Sequence, residues 1–98
     1  MEPDAMARAR PPGCYRMKLF LVGEETNSRL ARENLARICR NGEGRCFDVE
    51  IVDVLENYEL ALEHRILITP ALLVLEPKRA LIFGNLGDIE KVRSTLGL

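Results

Sequence analysis

The 98-residue chain contains no tryptophan, only two tyrosines and three phenylalanines, and a single histidine. It also lacks an excess of either charge: 14 Lys+Arg stand against 15 Asp+Glu, for a formal net charge of −1. So even a balance leaves no electrostatic footprint for nucleic acid or for an anionic membrane surface. Long apolar runs are missing as well. The longest, Ile66 to Leu75, is interrupted by Thr69-Pro70 and is about half the length a bilayer requires. Residues 1–16 carry no apolar stretch of the kind a secretory leader needs. The expectation is a soluble, cytoplasmic protein with neither a nucleic-acid nor a membrane partner.

Cysteine is scarce, with only Cys14, Cys39 and Cys46. No CxxC occurs, and His64 has no cysteine near it in sequence, so the paired short spacings of a zinc site are absent. Three cysteines are too few for a disulfide framework, and a cytoplasmic setting keeps thiols reduced. All three are therefore expected as ordinary thiols, with Cys39 facing the interior of a helix. No GxGxxG is present, and Gly84-Asn85-Leu86-Gly87 is a turn rather than a phosphate cradle. Glu24 and Glu25 read as favourable charges near a helix start, and His64 as a solvated helix-end imidazole. No catalytic group, cofactor or metal emerges.

What the chain does have is 47% apolar and 30% charged residues, the balance of one folded domain. Met1–Arg16, with Pro3, Pro11, Pro12 and Gly13, reads as a flexible extension ahead of a domain spanning 17–98. Met17–Val22 is apolar on both alternating faces, as a central strand covered on both sides would be, and Gly23 stops it. Thr26-Asn27-Ser28 supplies helix N-cap candidates, and the helix runs to about Arg40. Ala31, Leu35 and Ile38 form its buried stripe, while Arg29, Glu33 and Arg37 lie outside. Asn41-Gly42-Glu43-Gly44 ends it.

Val49–Val54 reads as the second strand, parallel to the first because a helix separates them. Asn57 is a cap candidate for a short helix to about His64, with Leu60 and Ala61 facing inward. Leu72–Glu76 and Ala80–Phe83, joined only by Pro77-Lys78-Arg79, form an antiparallel hairpin. Gly84 ends the last strand. Asp88 is placed to cap a closing helix in which Ile89, Val92 and Leu96 repeat. The order β-α-β-α-β-β-α, with a mixed four-stranded sheet, is the thioredoxin-like α/β architecture. Pro70 sits just before the third strand, where thioredoxin-like proteins often carry a cis proline, so Thr69-Pro70 is predicted cis. The turn that would hold the redox pair reads Gly23-Glu24-Glu25-Thr26-Asn27-Ser28 and has no thiol, which excludes disulfide exchange there.

Particular segments carry a closer likeness. They are Lys18-Leu19-Phe20-Leu21-Val22-Gly23, Asn27-Ser28, Val52-Asp53-Val54-Leu55-Glu56-Asn57, Glu59-Leu60-Ala61, Arg65–Leu72 with its Ile68-Thr69-Pro70, and Gly84–Val92. In them the chain resembles the KaiB family of clock proteins over about Tyr15 to Leu98. The resemblance implies a non-enzymatic regulator that binds the ATPase ring of a KaiC-like kinase, in cyanobacteria together with KaiA. It also implies a metamorphic family whose resting form, often a tetramer, folds its C-terminal half differently, so a homo-oligomer is an expectation too. The single Pro77, where the resting form has a proline-rich turn, implies the thioredoxin-like form here.

For partner contact the resemblance points to the second helix and its flanks: Asn57, Glu59, Glu63 and Arg65, with Arg29 of the first helix as a further candidate. The other readings are an adaptor or sensor for a histidine kinase, which the thioredoxin-like fold also serves, and a thiol-dependent oxidoreductase using Cys39 or Cys46.

Overall fold

The computed structural model describes residues 14–42 and 44–98. The expected extension lies almost wholly outside the described residues. Seven elements follow in the anticipated order: β1 Tyr15–Leu21, α1 Thr26–Arg40, β2 Phe47–Asp53, α2 Tyr58–Glu63, β3 Ala71–Glu76, β4 Ala80–Phe83 and α3 Ile89–Leu96. The sheet order is β2-β1-β3-β4. β1 and β2 are parallel, whereas β3 runs antiparallel to both β1 and β4. This is the thioredoxin-like arrangement.

Alternation along β1 sends its side chains to two separate cores. Tyr15, Met17, Leu19 and Leu21 point to one face, where they pack with Ala31, Leu35 and Ile38 of α1 and with Val92 and Leu96 of α3. Phe20 points to the other face, beneath α2, with Val52, Ala61, Ile66, Ala71 and Leu73. Farther along this second face the strands carry charge. Lys18 pairs with Glu50 across β1 and β2, and Arg16 with Glu76 across β1 and β3 at 3.2 Å. Each partner is the residue directly opposite in register, the geometry in which cross-strand pairs act.

Several boundaries and caps differ from the sequence reading. β1 begins at Tyr15 rather than Met17, because the Tyr15 hydroxyl is buried and donates to the Leu96 carbonyl at 2.7 Å. A tyrosine next to Arg16 does not look like core until that distant acceptor is known. β2 begins at Phe47, which stacks on Tyr15 at 5.2 Å. None of Thr26, Asn27 or Ser28 caps α1: Glu25 occupies the N-cap without a side-chain bond. Ser28 is instead fully buried, and its hydroxyl accepts from the Val22 N–H at 3.0 Å. Asn57 does hold the N-cap position of α2, yet its side chain makes no capping bond. Asp88 caps α3 as expected, accepting from the Lys91 N–H at 3.2 Å.

The expectation of three free thiols fails. Cys14 and Cys46 form a disulfide, and Cys39 is the free cysteine among the described residues. The physical reason is strand register. Tyr15 lies opposite Phe47, so the residues one step earlier, Cys14 and Cys46, are neighbours as well, with Cα atoms 4.6 Å apart. That separation lies within the range a disulfide spans. Burial pushes the Cys39 thiol pKa up, which keeps it protonated and a poor nucleophile at neutral pH. Thr69-Pro70 is cis, as predicted, and Glu76-Pro77 is cis too, which the sequence did not suggest.

Candidate functional site

The two turns at the C-terminal ends of β1 and β2 are joined through one carboxylate. Asp53 Oδ1 accepts from the Gly23 N–H at 3.3 Å and from the Leu55 N–H at 3.0 Å. Gly23 has φ +47°, a conformation glycine adopts at little cost. Asp53 thereby fixes the β1–α1 turn against the segment that leads into α2. Asp53→Ala removes the acceptor from two backbone donors and is expected to destabilise the fold by about 1–2 kcal/mol. Urea denaturation checks it, with the loss appearing as a lower midpoint at unchanged slope. The turn carries no thiol, and the disulfide lies at the opposite end of β1. Among the described residues, no group of His, Cys, Asp and Glu side chains is arranged to hold a metal ion.

A cleft between the end of β4 and the start of α3 is lined by Phe83, Asn85, Asp88 and Lys91 among others. Asn85 commits its polar atoms to the loop and to α1. Asn85 Oδ1 accepts from the Gly87 N–H, its Nδ2 donates to Asn27, and its carbonyl accepts from Asn34 Nδ2. Gly84, at φ +100°, closes β4 and donates its N–H to the Pro70 carbonyl at 2.9 Å. This cleft positions a loop.

The surface of α2 is different in kind. The helix buries only Ala61, and Leu60 in part. Tyr58 and Leu62, four residues apart on one face, are exposed, and Leu55, Leu67 and Ile68 in the flanking segments are exposed as well. All five side chains retain between 60% and 85% of their accessible surface. Scattered apolar side chains at a surface need no explanation, whereas a larger contiguous apolar patch is a feature that protein contacts, membrane contacts and ligand grooves share. Sequence reasoning missed this patch, although Leu55, Tyr58 and Leu62 at i, i+3 and i+7 were its readable signal.

Four of the five sequence candidates border the patch. Asn57 is the N-cap, Glu59 lies in the first turn, Glu63 ends the helix and Arg65 follows it, all of them exposed. Arg29 is exposed near the start of α1, in the layer on the other side of the sheet, so the structure does not bring it to the patch. His64 is half-buried rather than solvated, with its ring edge-on to Phe20 at 6.0 Å.

Arg65 has a backbone unlike its neighbours. Its φ is +57°, the left-handed region that disfavours side chains with a Cβ. The Arg65 N–H bonds the Leu62 carbonyl at 3.0 Å and the Ile66 N–H bonds the Ala61 carbonyl at 2.8 Å. This is the two-bond helix ending that normally places glycine at the left-handed position. α3 ends with the same pair of bonds, Gly97 N–H to Ser94 and Leu98 N–H to Arg93, and there the residue is Gly97 at φ +78°. Two helices in one chain thus end alike, and only α2 uses arginine. Leu86, at φ +63° in the turn before α3, is the other non-glycine residue in the left-handed region among the described residues, but it is buried, whereas Arg65 is exposed.

The KaiB domain family matches residues 18–98. A circadian clock protein KaiB3 from Synechocystis is 38% identical over 77 residues, covering 78% of this chain and 76% of that protein. A circadian clock oscillator protein KaiB from Picosynechococcus is 39% identical over 85 residues, covering 86% and 82%. Among solved structures, the N-terminal domain of Synechococcus elongatus SasA superposes with a TM-score of 0.71 at 18% identity, covering 99% of this chain and 91% of that one. The Drosophila melanogaster thioredoxin Deadhead does so with a TM-score of 0.69 at 16% identity, covering 87% and 80%.

Proposed function

The chain belongs to the KaiB family, and on that premise we propose that it is a non-enzymatic clock-type regulator that docks on the ATPase ring of a KaiC-like protein. Docking modulates the phosphorylation state of that ring. The observation that supports this reading best is the surface of α2. A six-residue helix leaves Tyr58 and Leu62 outside, and its charged rim ends on a strained Arg65. An apolar centre with an arginine at its border has the composition of a protein–protein contact. A regulator of this kind needs no catalytic group, which agrees with a redox turn that holds two glutamates where a thiol pair would be.

Replacing the apolar centre tests the proposal. Tyr58→Ala combined with Leu62→Ala is expected to weaken binding to a KaiC-like ring by roughly tenfold or more, as loss of central contacts does. The fold itself should keep its stability, since both side chains are largely exposed. Equal affinities of wild type and double variant in a fluorescence titration would remove α2 from the contact. Binding to a histidine kinase instead, with none to the ring, would transfer the protein to the sensor role.

A further inference from the structure

The Cys14–Cys46 bond lies at the end of the sheet opposite α2, and the residues beside both sulfurs hold the last helix. Tyr15, next to Cys14, donates its buried hydroxyl to the carbonyl of Leu96 at 2.7 Å. Arg45, next to Cys46, donates from Nη1 to that same hydroxyl oxygen at 3.4 Å. Phe47, on the other side of Cys46, stacks on the Tyr15 ring at 5.2 Å. The end of α3 is thus gripped by a tyrosine whose own position depends on both strands that the disulfide joins. Nearby, Arg93 of α3 donates to the Asn41 carbonyl at 3.3 Å. α3 contributes Val92 and Leu96 to the core, with Ile89 packed against it, and this grip adds a polar tie at its C-terminal end.

We propose that Cys14 and Cys46 form a redox-controlled clasp that sets how firmly α3 is docked. Cys14 is buried and Cys46 only partly so, which makes the Cys46 sulfur the point of attack. A thiolate of a cellular dithiol attacks that sulfur, forming a mixed disulfide and releasing Cys14 as a thiolate that takes up a proton. The second thiol of the dithiol then attacks the mixed disulfide and frees Cys46. Two electrons pass from the dithiol, which becomes a disulfide, to the Cys14–Cys46 pair, which becomes two thiols. The oxidised form of the same dithiol couple runs the exchange backwards. Opening the bond releases the covalent tie between the starts of β1 and β2, and the Tyr15–Arg45–Leu96 bonds lose the constraint that aligns them.

The test is hydrogen exchange of the full chain in dithiothreitol buffers poised oxidised and reduced, with thiol trapping and peptide mapping on the same samples. Reduction is expected to speed exchange of the α3 amides by roughly tenfold while leaving the α2 amides within about twofold. Tyr15→Phe, which keeps the disulfide but removes the bond to Leu96, should reproduce the faster α3 exchange in the oxidised buffer. Reduction of that variant should add little, because the two changes act on one linkage. Three results would overturn the proposal. One is α3 exchange that ignores the redox state. Another is equal loosening of α2 and α3, which would make the bond a general staple. The last is trapping that finds Cys14 and Cys46 free in both buffers.

Discussion

Phe20→Ala is expected to destabilise the protein by about 3–5 kcal/mol, the upper range for a buried aromatic. Phe20 is fully buried and belongs to the smaller core, beneath α2. Its buried companions there are Val52, Ala61, Ile66, Ala71 and Leu73. Phe20 is the largest of them, and two of the five are alanines that cannot grow into the space it leaves. A cavity that fails to collapse makes a truncation costly. A chain of this length has a net stability on the order of 5–15 kcal/mol, so one substitution consumes much of it. Because α2 rests on Phe20 through Ala61, and His64 meets its ring edge, the surface of α2 should loosen before the rest. Urea unfolding measures the total, and amide exchange shows the order. A loss below 1 kcal/mol would mean that α2 is held by something other than this core.

Arg65→Glu is expected to weaken binding to a KaiC-like ring by roughly 5- to 150-fold, about 1–3 kcal/mol, as reversing an interface charge does. The substitution leaves the backbone problem where it was, since glutamate meets the same steric limit at φ +57°. Folding stability should therefore change little. Any loss of affinity is then a property of the charge, and raising the salt concentration should narrow the gap between the two proteins. Unchanged affinity in a titration would take Arg65 out of the contact.

Much of the architecture was legible in the chain because it depends on local pattern. Ala31, Leu35 and Ile38 marked the inner face of α1 by spacing alone, and all three are buried. Pro77-Lys78-Arg79 was too short for anything but a hairpin, and β3 and β4 pair antiparallel across it. The missing turn thiol was visible as a plain absence. What escaped depends on distant partners. The Cys14–Cys46 bond follows from the register of two strands 32 residues apart, and spacing in sequence carries no trace of register. Tyr15 is core through distant partners, Phe47 across the sheet and Leu96 81 residues away.

At the candidate site the residues on and around α2 were legible by likeness, but their arrangement was not. The helix was read for what faces inward, Leu60 and Ala61, whereas its informative side is the one that faces out. Arg65 could be read as a charge but not as a left-handed residue, because an arginine there contradicts the usual glycine and no local signal announces it. Arg29 shares the chain's basic character and not its geometry, since α1 lies in the opposite layer.

On the proposed function, Arg65 is kept in its left-handed conformation for the sake of the partner. The most direct measurement is Arg65→Gly, with unfolding stability and affinity for a KaiC-like ring determined on the same preparation. Glycine relieves the left-handed strain and leaves both backbone bonds of the helix ending in place. The account predicts effects of opposite sign: a gain of about 0.5–1 kcal/mol in stability and a loss of roughly fivefold or more in affinity. A variant that is stabilised and binds as tightly as wild type would contradict it, and the surface of α2 would then be an ordinary exposed helix.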